Sequence, residues 1–180
     1  MIDRLEECPC LCHRGFNLKH CVACCQTCPV CHKNISSQHF EAHSRCHQRD
    51  LEQLILKKVE PRIRLAWSQD TASPNCQKIW SRKNPALGQC AVTALLVQDL
   101  LGGELIRTEV SGYGSHYYNR LPSGDTADLT AEQFPPVTHI PPGEPRDREY
   151  VLNSPGAVAA RTKERYELLK NRYATVRPGQ

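Results

Sequence analysis

The sequence predicts an α+β chain: a central helix packed on a small antiparallel sheet, preceded by a small module rich in cysteine and histidine. Three observations predict it. Nine of the eleven cysteines and six of the eight histidines lie before Asp50, so the composition breaks sharply there. After the break, Cys90-Ala91-Val92-Thr93-Ala94-Leu95-Leu96-Val97 is apolar nearly all round, the pattern of a centrally buried helix, and Gly102-Gly103 follows in the position that stops one. Three strand-like segments come next, Glu104 to Glu109, Ser115 to Leu121 and Thr126 to Leu129, with Pro122-Ser123-Gly124-Asp125 turning the last two into a hairpin.

A length of 180 residues fits one ordinary domain plus a small appendage. Residues 1–60 read as the Cys/His-rich module with a connector helix, 61–176 as the main domain and 177–180 as a disordered tail. No apolar run approaches the roughly 20 residues of a membrane span, and the start lacks the apolar core of a signal peptide. A reducing, cytoplasmic setting is expected, where dense Cys/His clusters bind zinc in preference to forming disulfides. The net charge of +4 permits nucleic-acid contact without arguing for it.

Within the module, Cys28-Pro29-Val30-Cys31 is followed by eleven residues, His43, three more, then His47. Cys-x-x-Cys presents two thiolates from a tight turn, and histidines four apart share a helix face, so the four can close a tetrahedron around zinc. Cys46 competes for the fourth position. A second zinc is expected at Cys21 and Cys24, with partners from Cys8, Cys10 and Cys12; Cys10 and Cys12 are preferred. Ile35 and Phe40 would form the core of so small a unit. The connector helix runs from Gln38 to about Val59, with Pro61 ending it.

In the main domain, Ser73-Pro74 reads as the start of a short helix ending near Trp80, and Pro135 to Pro145 as a proline-rich loop. Ser154-Pro155 caps a final amphipathic helix reaching about Tyr173, with Val158, Tyr166, Leu169 and Tyr173 inward. The chemistry gathers at Cys90, His116 and Asp128. At a helix amino terminus, free N–H groups and the dipole stabilise a thiolate. An imidazole, His116, would form a thiolate–imidazolium pair with it, and Asp128 would orient the ring. If Tyr118 pairs opposite Asp128, then His116 and Asp128 are diagonal neighbours on one sheet face, which requires an odd loop. Each residue also has a purely structural reading: Cys90 as a small core residue, His116 as a packed strand histidine, Asp128 as the cap of a following turn. The Cys90 backbone N–H is one oxyanion donor by position; the Gln89 side chain or the Trp67–Thr71 stretch is the second. Trp67, Trp80, Tyr113 and Tyr117 are candidate cleft residues.

Two resemblances extend this reading. Cys28-Pro29-Val30-Cys31…His43…His47 resembles the ubiquitin-binding zinc fingers of DNA-repair proteins, which implies a zinc-bound ββα unit and a ubiquitin-like partner. Those fingers carry an acidic residue between the last two ligands, where this chain has Ser44-Arg45-Cys46; a nucleic-acid finger is the rival reading. Trp67-Ser68-Gln69-Asp70-Thr71, Pro85 to Ala94, Gly102-Gly103, Ser115-His116-Tyr117-Tyr118-Asn119 and Asp128-Leu129-Thr130…Gln133-Phe134 resemble the YunG-like family. That likeness covers about Ile63 to Tyr173 and implies a papain-like order of Cys90, His116 and Asp128. In papain-like enzymes the helper glutamine lies several residues before the cysteine, whereas Gln89 is adjacent to it. The expected function is a cysteine hydrolase or acyltransferase acting on an amide or isopeptide bond, with the zinc module recruiting a protein substrate. The alternative is a non-catalytic zinc-dependent adaptor.

Overall fold

The computed structural model describes residues 25–27, 32–36 and 40–177. The chain divides into two compact units, Met1–Gln53 and Leu54–Gln180. In the first, strand β1 (Cys25–Thr27) pairs antiparallel with β2 (Asn34–Ser36), Gln26 opposite Ile35; helix α1 (Phe40–Ala66) begins in this unit and ends in the second. Ile35 is only 2 % exposed and Phe40 is half-buried, so a ββα unit forms around very little apolar material.

Helix α1 does not stop at Pro61 but runs through it to Ala66. An interior proline forfeits a backbone hydrogen bond and costs about 3 kcal/mol. Burial offsets this. Ile63 and Ala66 are fully buried and Trp67 nearly so, and burying one large apolar side chain contributes about 1.5–3 kcal/mol. The helix end is also tied down. Arg172 Nε donates to the Ala66 carbonyl at 2.6 Å, and Arg62 donates to the carbonyls of Val176 and Ala174.

The rest of the second unit is α+β, with a four-stranded antiparallel sheet. A 3-10 turn (Gln69–Thr71), closed by reciprocal bonds between Ser68 and Thr71, leads to helix α2 (Pro74–Gln77), which ends before Trp80. Helix α3 (Cys90–Leu101) is the buried central helix: Ala91 through Val97 are all buried. Strands β3 (Glu104–Val110), β4 (Gly114–Arg120), β5 (Thr126–Ala127) and β6 (Glu144–Arg146) form the sheet in the order β5-β4-β3-β6. Side chains of α3, among them Val92, Leu95 and Leu96, join Leu105 of β3, Leu121 and Leu169 in one core.

Two parts of this unit differ from the sequence expectation. Strand β6 lies in the supposed proline-rich loop, with Pro145 opposite Ile106. A strand containing proline is tolerated there because β6 is at the sheet edge, where a missing N–H breaks no ladder on the open side. The final helix expected from Ser154 is preceded by a further short helix, α4 (Arg148–Asn153), and is itself two helices, α5 (Pro155–Ala159) and α6 (Thr162–Thr175). Asp147 and Ser154 cap the first two through their side chains, and Arg161, at φ 52°, turns the chain between the last two. Val158 consequently points out, 63 % exposed, while Thr162, Arg165, Tyr166 and Leu169 form the inward stripe of α6.

Gly103 sits at φ 82°, and a Cβ there would stand 2.3 Å from the Arg120 carbonyl oxygen. Gly112, at φ 80°, has nothing within 4 Å of such a Cβ. Left-handed backbone alone costs a residue with a Cβ about 1–2 kcal/mol. Gly112→Ala should therefore lose about 1 kcal/mol, and Gly103→Ala about 3 kcal/mol or more because the clash adds to the strain. Urea melts of the two variants measure the difference; equal losses would contradict the close approach.

Candidate active site

Cys90 is the first residue of α3, so its backbone N–H falls among the helix-start donors that have no partner inside the helix. Gln89 precedes it at φ −93°, ψ −7°. The turn into the helix is pinned by its neighbour Gly88. The Gly88 carbonyl accepts from Ser73 N at 2.9 Å and from Arg165 Nη1 at 3.3 Å. Gly88 has φ 71°, and a Cβ there would lie 2.8 Å from that of Cys76, so only glycine fits.

His116 and Asp128 come together through strand register. Asn119 faces Ala127 and Arg120 faces Thr126, leaving a five-residue loop, Leu121 to Asp125. Continued one step, this register sets Tyr118 opposite Asp128, with His116 diagonal to it on the same face. His116 Nε2 donates to Asp128 Oδ2 at 2.6 Å. Asp128 Oδ1 accepts from the Thr130 N–H at 3.0 Å and lies 3.2 Å from its hydroxyl. The carboxylate thus caps the turn after β5 with one oxygen and holds the imidazole with the other.

The His116 ring is fully buried, with the Phe134 ring edge-on at 5.0 Å between centroids. Since Nε2 is committed to Asp128, Nδ1 is the nitrogen left to act on the Cys90 thiol, whose ionisation His116 favours. Burial acts on both groups to disfavour charge, but their neighbours together outweigh it. Burial pushes the thiol up, while hydrogen bonding to His116, the charge of His116, the Tyr117 backbone N–H and the charge of Arg165 bring it below its ordinary value. Burial pulls His116 down, while Asp128 and Cys90 push it up to about 9. The arrangement favours thiolate with imidazolium near neutral pH.

Cys90 opens on a cavity of about 510 Å³ that also meets Tyr113, Tyr117, Gln133, Phe134, Arg107 and Arg165. Of the four aromatic candidates, Tyr113 and Tyr117 line it. Trp67 is in the core, donating to Thr93 Oγ1, and Trp80 donates to the Pro85 carbonyl. Gln89 is not brought to the cavity: its side chain is fully buried and its Nε2 donates to the Ser68 carbonyl at 2.9 Å. The Trp67–Thr71 stretch does not line the cavity either.

Two cavity residues escape a reading of the sequence alone. Gln133 ends a 3-10 turn (Ala131–Gln133) with Nε2 at 3.2 Å from His116 Nδ1. Arg165, 5 % exposed, donates to the carbonyls of Ala160, Thr71 and Gly88 and makes no ion pair with a carboxylate within 4 Å among the described residues. An ion-paired Cys90, His116 and Asp128 carries one net negative charge, and Arg165 is the buried cation in its field. An arginine on the inward stripe of α6 was the available signal for the second. For Gln133 the signal was its place two residues beyond Ala131, in the same block as Asp128.

A profile of the YunG protein family matches residues 55–177. A relative from Bacillus subtilis (strain 168), described as "Uncharacterized protein YunG", is 36 % identical over 89 residues, which is 48 % of this chain and 71 % of the relative. The chain belongs to the YunG family. No solved structure matches it. The YunG segment holds Cys90, His116, Asp128, Gln133 and Arg165, and begins after every residue of the predicted zinc sites.

Of those zinc-site residues, Cys10, Cys12, Cys21, Cys24, Cys28 and Cys31 lie outside the described residues. His43 and His47 lie within them, on α1. Their Nε2 atoms are 3.0 Å apart, with the rings edge to face. Two imidazole ligands on one tetrahedral zinc hold their nitrogens roughly 3.3 Å apart, so the pair fits such an ion. Cys46 is exposed and His47 is the residue turned toward His43. No helix among the described residues is long and apolar enough to cross a membrane.

Because Asp128 raises His116, removing its charge should lower the imidazole midpoint. In Asp128→Asn the ring loses its proton at lower pH, by about one unit or more, and the thiolate–imidazolium window narrows from its alkaline side. Titration of the His116 ring by NMR in the two proteins checks both direction and size. An unshifted midpoint would mean that the carboxylate does not act on the ring.

Proposed function

We propose that the YunG-type unit is a papain-like cysteine hydrolase or acyltransferase acting on an amide or isopeptide bond. The observation that carries the reading is the His116–Asp128 hydrogen bond set beside the cavity on which Cys90, at the start of α3, opens. In this reading the Cys90 thiolate attacks the carbonyl carbon and forms the C–S bond, and the carbonyl electrons move to oxygen. His116 Nδ1–H protonates the leaving amine as the C–N bond breaks, leaving a thioester and a neutral imidazole. His116 then takes a proton from water, or from an acceptor amine, which attacks the thioester. The thiolate leaves, and the acid or new amide departs. Asp128 keeps Nε2–H bound throughout, so that Nδ1 is always the nitrogen that moves the proton.

The Cys/His-rich stretch, in the same reading, binds two zinc ions: one through Cys28, Cys31, His43 and His47, the other through Cys21, Cys24, Cys10 and Cys12. Zinc there supplies fold rather than chemistry. The folded stretch recruits a protein substrate, with ubiquitin-like conjugates the first class to try and nucleic acid the second. The facing Nε2 atoms of His43 and His47 support the first site.

The thiol is tested in the full chain by iodoacetamide, reading Cys90 by mass spectrometry between pH 5 and 10. The expected midpoint of alkylation lies well below the free-thiol value of about 8.5, and His116→Ala returns it there. Cys76, which is also unpaired and half-buried, is the internal control. Equal, ordinary reactivity of Cys76 and Cys90 would refute the enzyme and leave the zinc-dependent adaptor. Metal analysis of the purified chain should find two zinc ions, and His43→Ala should lose one while Cys90 alkylation persists. A chain without zinc ends the recruitment half of the reading.

A further inference from the structure

Gln133 occupies a position that the Cys90–His116–Asp128 scheme does not explain. Its carboxamide is fixed at three points. Oε1 accepts from the Gly88 N–H at 3.4 Å, Nε2 donates to the Thr130 carbonyl at 3.0 Å, and Nε2 lies 3.2 Å from His116 Nδ1. The first two contacts settle which end is nitrogen, because an N–H must face an oxygen and a carbonyl must face an N–H. An amide nitrogen therefore faces the ring nitrogen that would carry the proton.

The two nitrogens are compatible only while Nδ1 is unprotonated and can accept. Once the Cys90 proton has moved to Nδ1, two N–H donors oppose each other and the amide contact is lost. Gln133 also lines the cavity on which Cys90 opens. An amide displaced from Nδ1 there can donate to the carbonyl oxygen of a substrate being attacked by the sulfur. That oxygen gains charge while Nδ1 still holds its proton. Gln89, the glutamine beside the nucleophile in sequence, cannot serve in this way, since its Nε2 is spent on Ser68 inside the core.

We infer that Gln133 is a catalytic residue of this site: its Nε2 leaves His116 Nδ1 for the substrate carbonyl oxygen and, with the Cys90 backbone N–H, stabilises the oxyanion. The inference rests on the thiol-hydrolase reading and adds a division of labour to it. Gln133 opposes proton transfer to His116 while the cavity is empty and assists acyl transfer once a carbonyl is bound.

The test separates two reactions of the same sulfur. Alkylation by iodoacetamide displaces iodide and creates no oxyanion; acylation by p-nitrophenyl acetate does. In the full chain, Gln133→Ala should be alkylated at Cys90 at pH 7 no more slowly than the unmodified sequence. Its acylation, followed by the burst of p-nitrophenolate, should fall about 100-fold or more. Gln133→Met, of similar volume and without donors, should do the same while keeping the packing. If both reactions slow together, Gln133 only holds the structure; if neither changes, it has no role at the site. Either result overturns the inference. If the unmodified Cys90 takes up neither reagent, the thiol-hydrolase reading has failed and this one with it, an outcome distinct from the other two.

Discussion

The peptide at Gly88 is the point on which the second unit turns. Its carbonyl receives the N–H of Ser73 and the guanidinium of Arg165, and its N–H reaches Gln133. Those three residues come from the start of α2, from the first turn of α6 and from the turn after β5. Gly88 meets all three with its backbone alone, which requires the absence of a Cβ and a left-handed φ. The first turn of α3 starts two residues later. Whatever fixes Gly88 therefore also fixes the direction in which the Cys90 sulfur is presented, and the same contacts bring Arg165 and Gln133 to it.

That convergence concentrates charge where water is scarce. A buried carboxylate, imidazolium and thiolate would be prohibitive singly, since an isolated ion taken from water costs several kcal/mol even after relaxation. Together they share their cost. Asp128 receives three donors, His116 donates to it through Nε2, and Arg165 sits among carbonyl oxygens instead of carboxylates, so its positive charge is left for the sulfur to use. A carboxylate partner for Arg165 would have quenched it. Backbone carbonyls solvate the guanidinium without cancelling it.

What the sequence discloses follows from how local each cause is. The buried helix beginning at Cys90 and its glycine stop depend on neighbours within a few residues, and these can be read directly; the parity that lets His116 face Asp128 hangs on an odd loop length, which is settled only by the pairing of Asn119 with Ala127. The passage of α1 through Pro61 could not be, because the compensation comes from Arg172 and from the burial of Ile63 and Ala66. Strand β6 hid behind its proline, whose harmlessness depends on being at an edge. The orientation of Gln89 is decided by a carbonyl 21 residues away, at Ser68. Gln133 and Arg165 belong to the same class: each is an ordinary polar residue until the fold sets it against the sulfur.

Strand β5 has only two residues, and Asp128 stands just beyond it. The acid is thus carried on a hairpin whose arithmetic is strict, since each residue added to or removed from the Leu121–Asp125 loop turns the outgoing strand over. Length change in this loop is effectively quantised. Two residues gained or lost restore the carboxylate to the imidazole side, whereas one leaves a well-formed sheet with the acid on its far face. Relatives that drift by a single residue here would keep the architecture and part with the chemistry, which makes the parity of one surface loop a readable mark of which descendants retain the site.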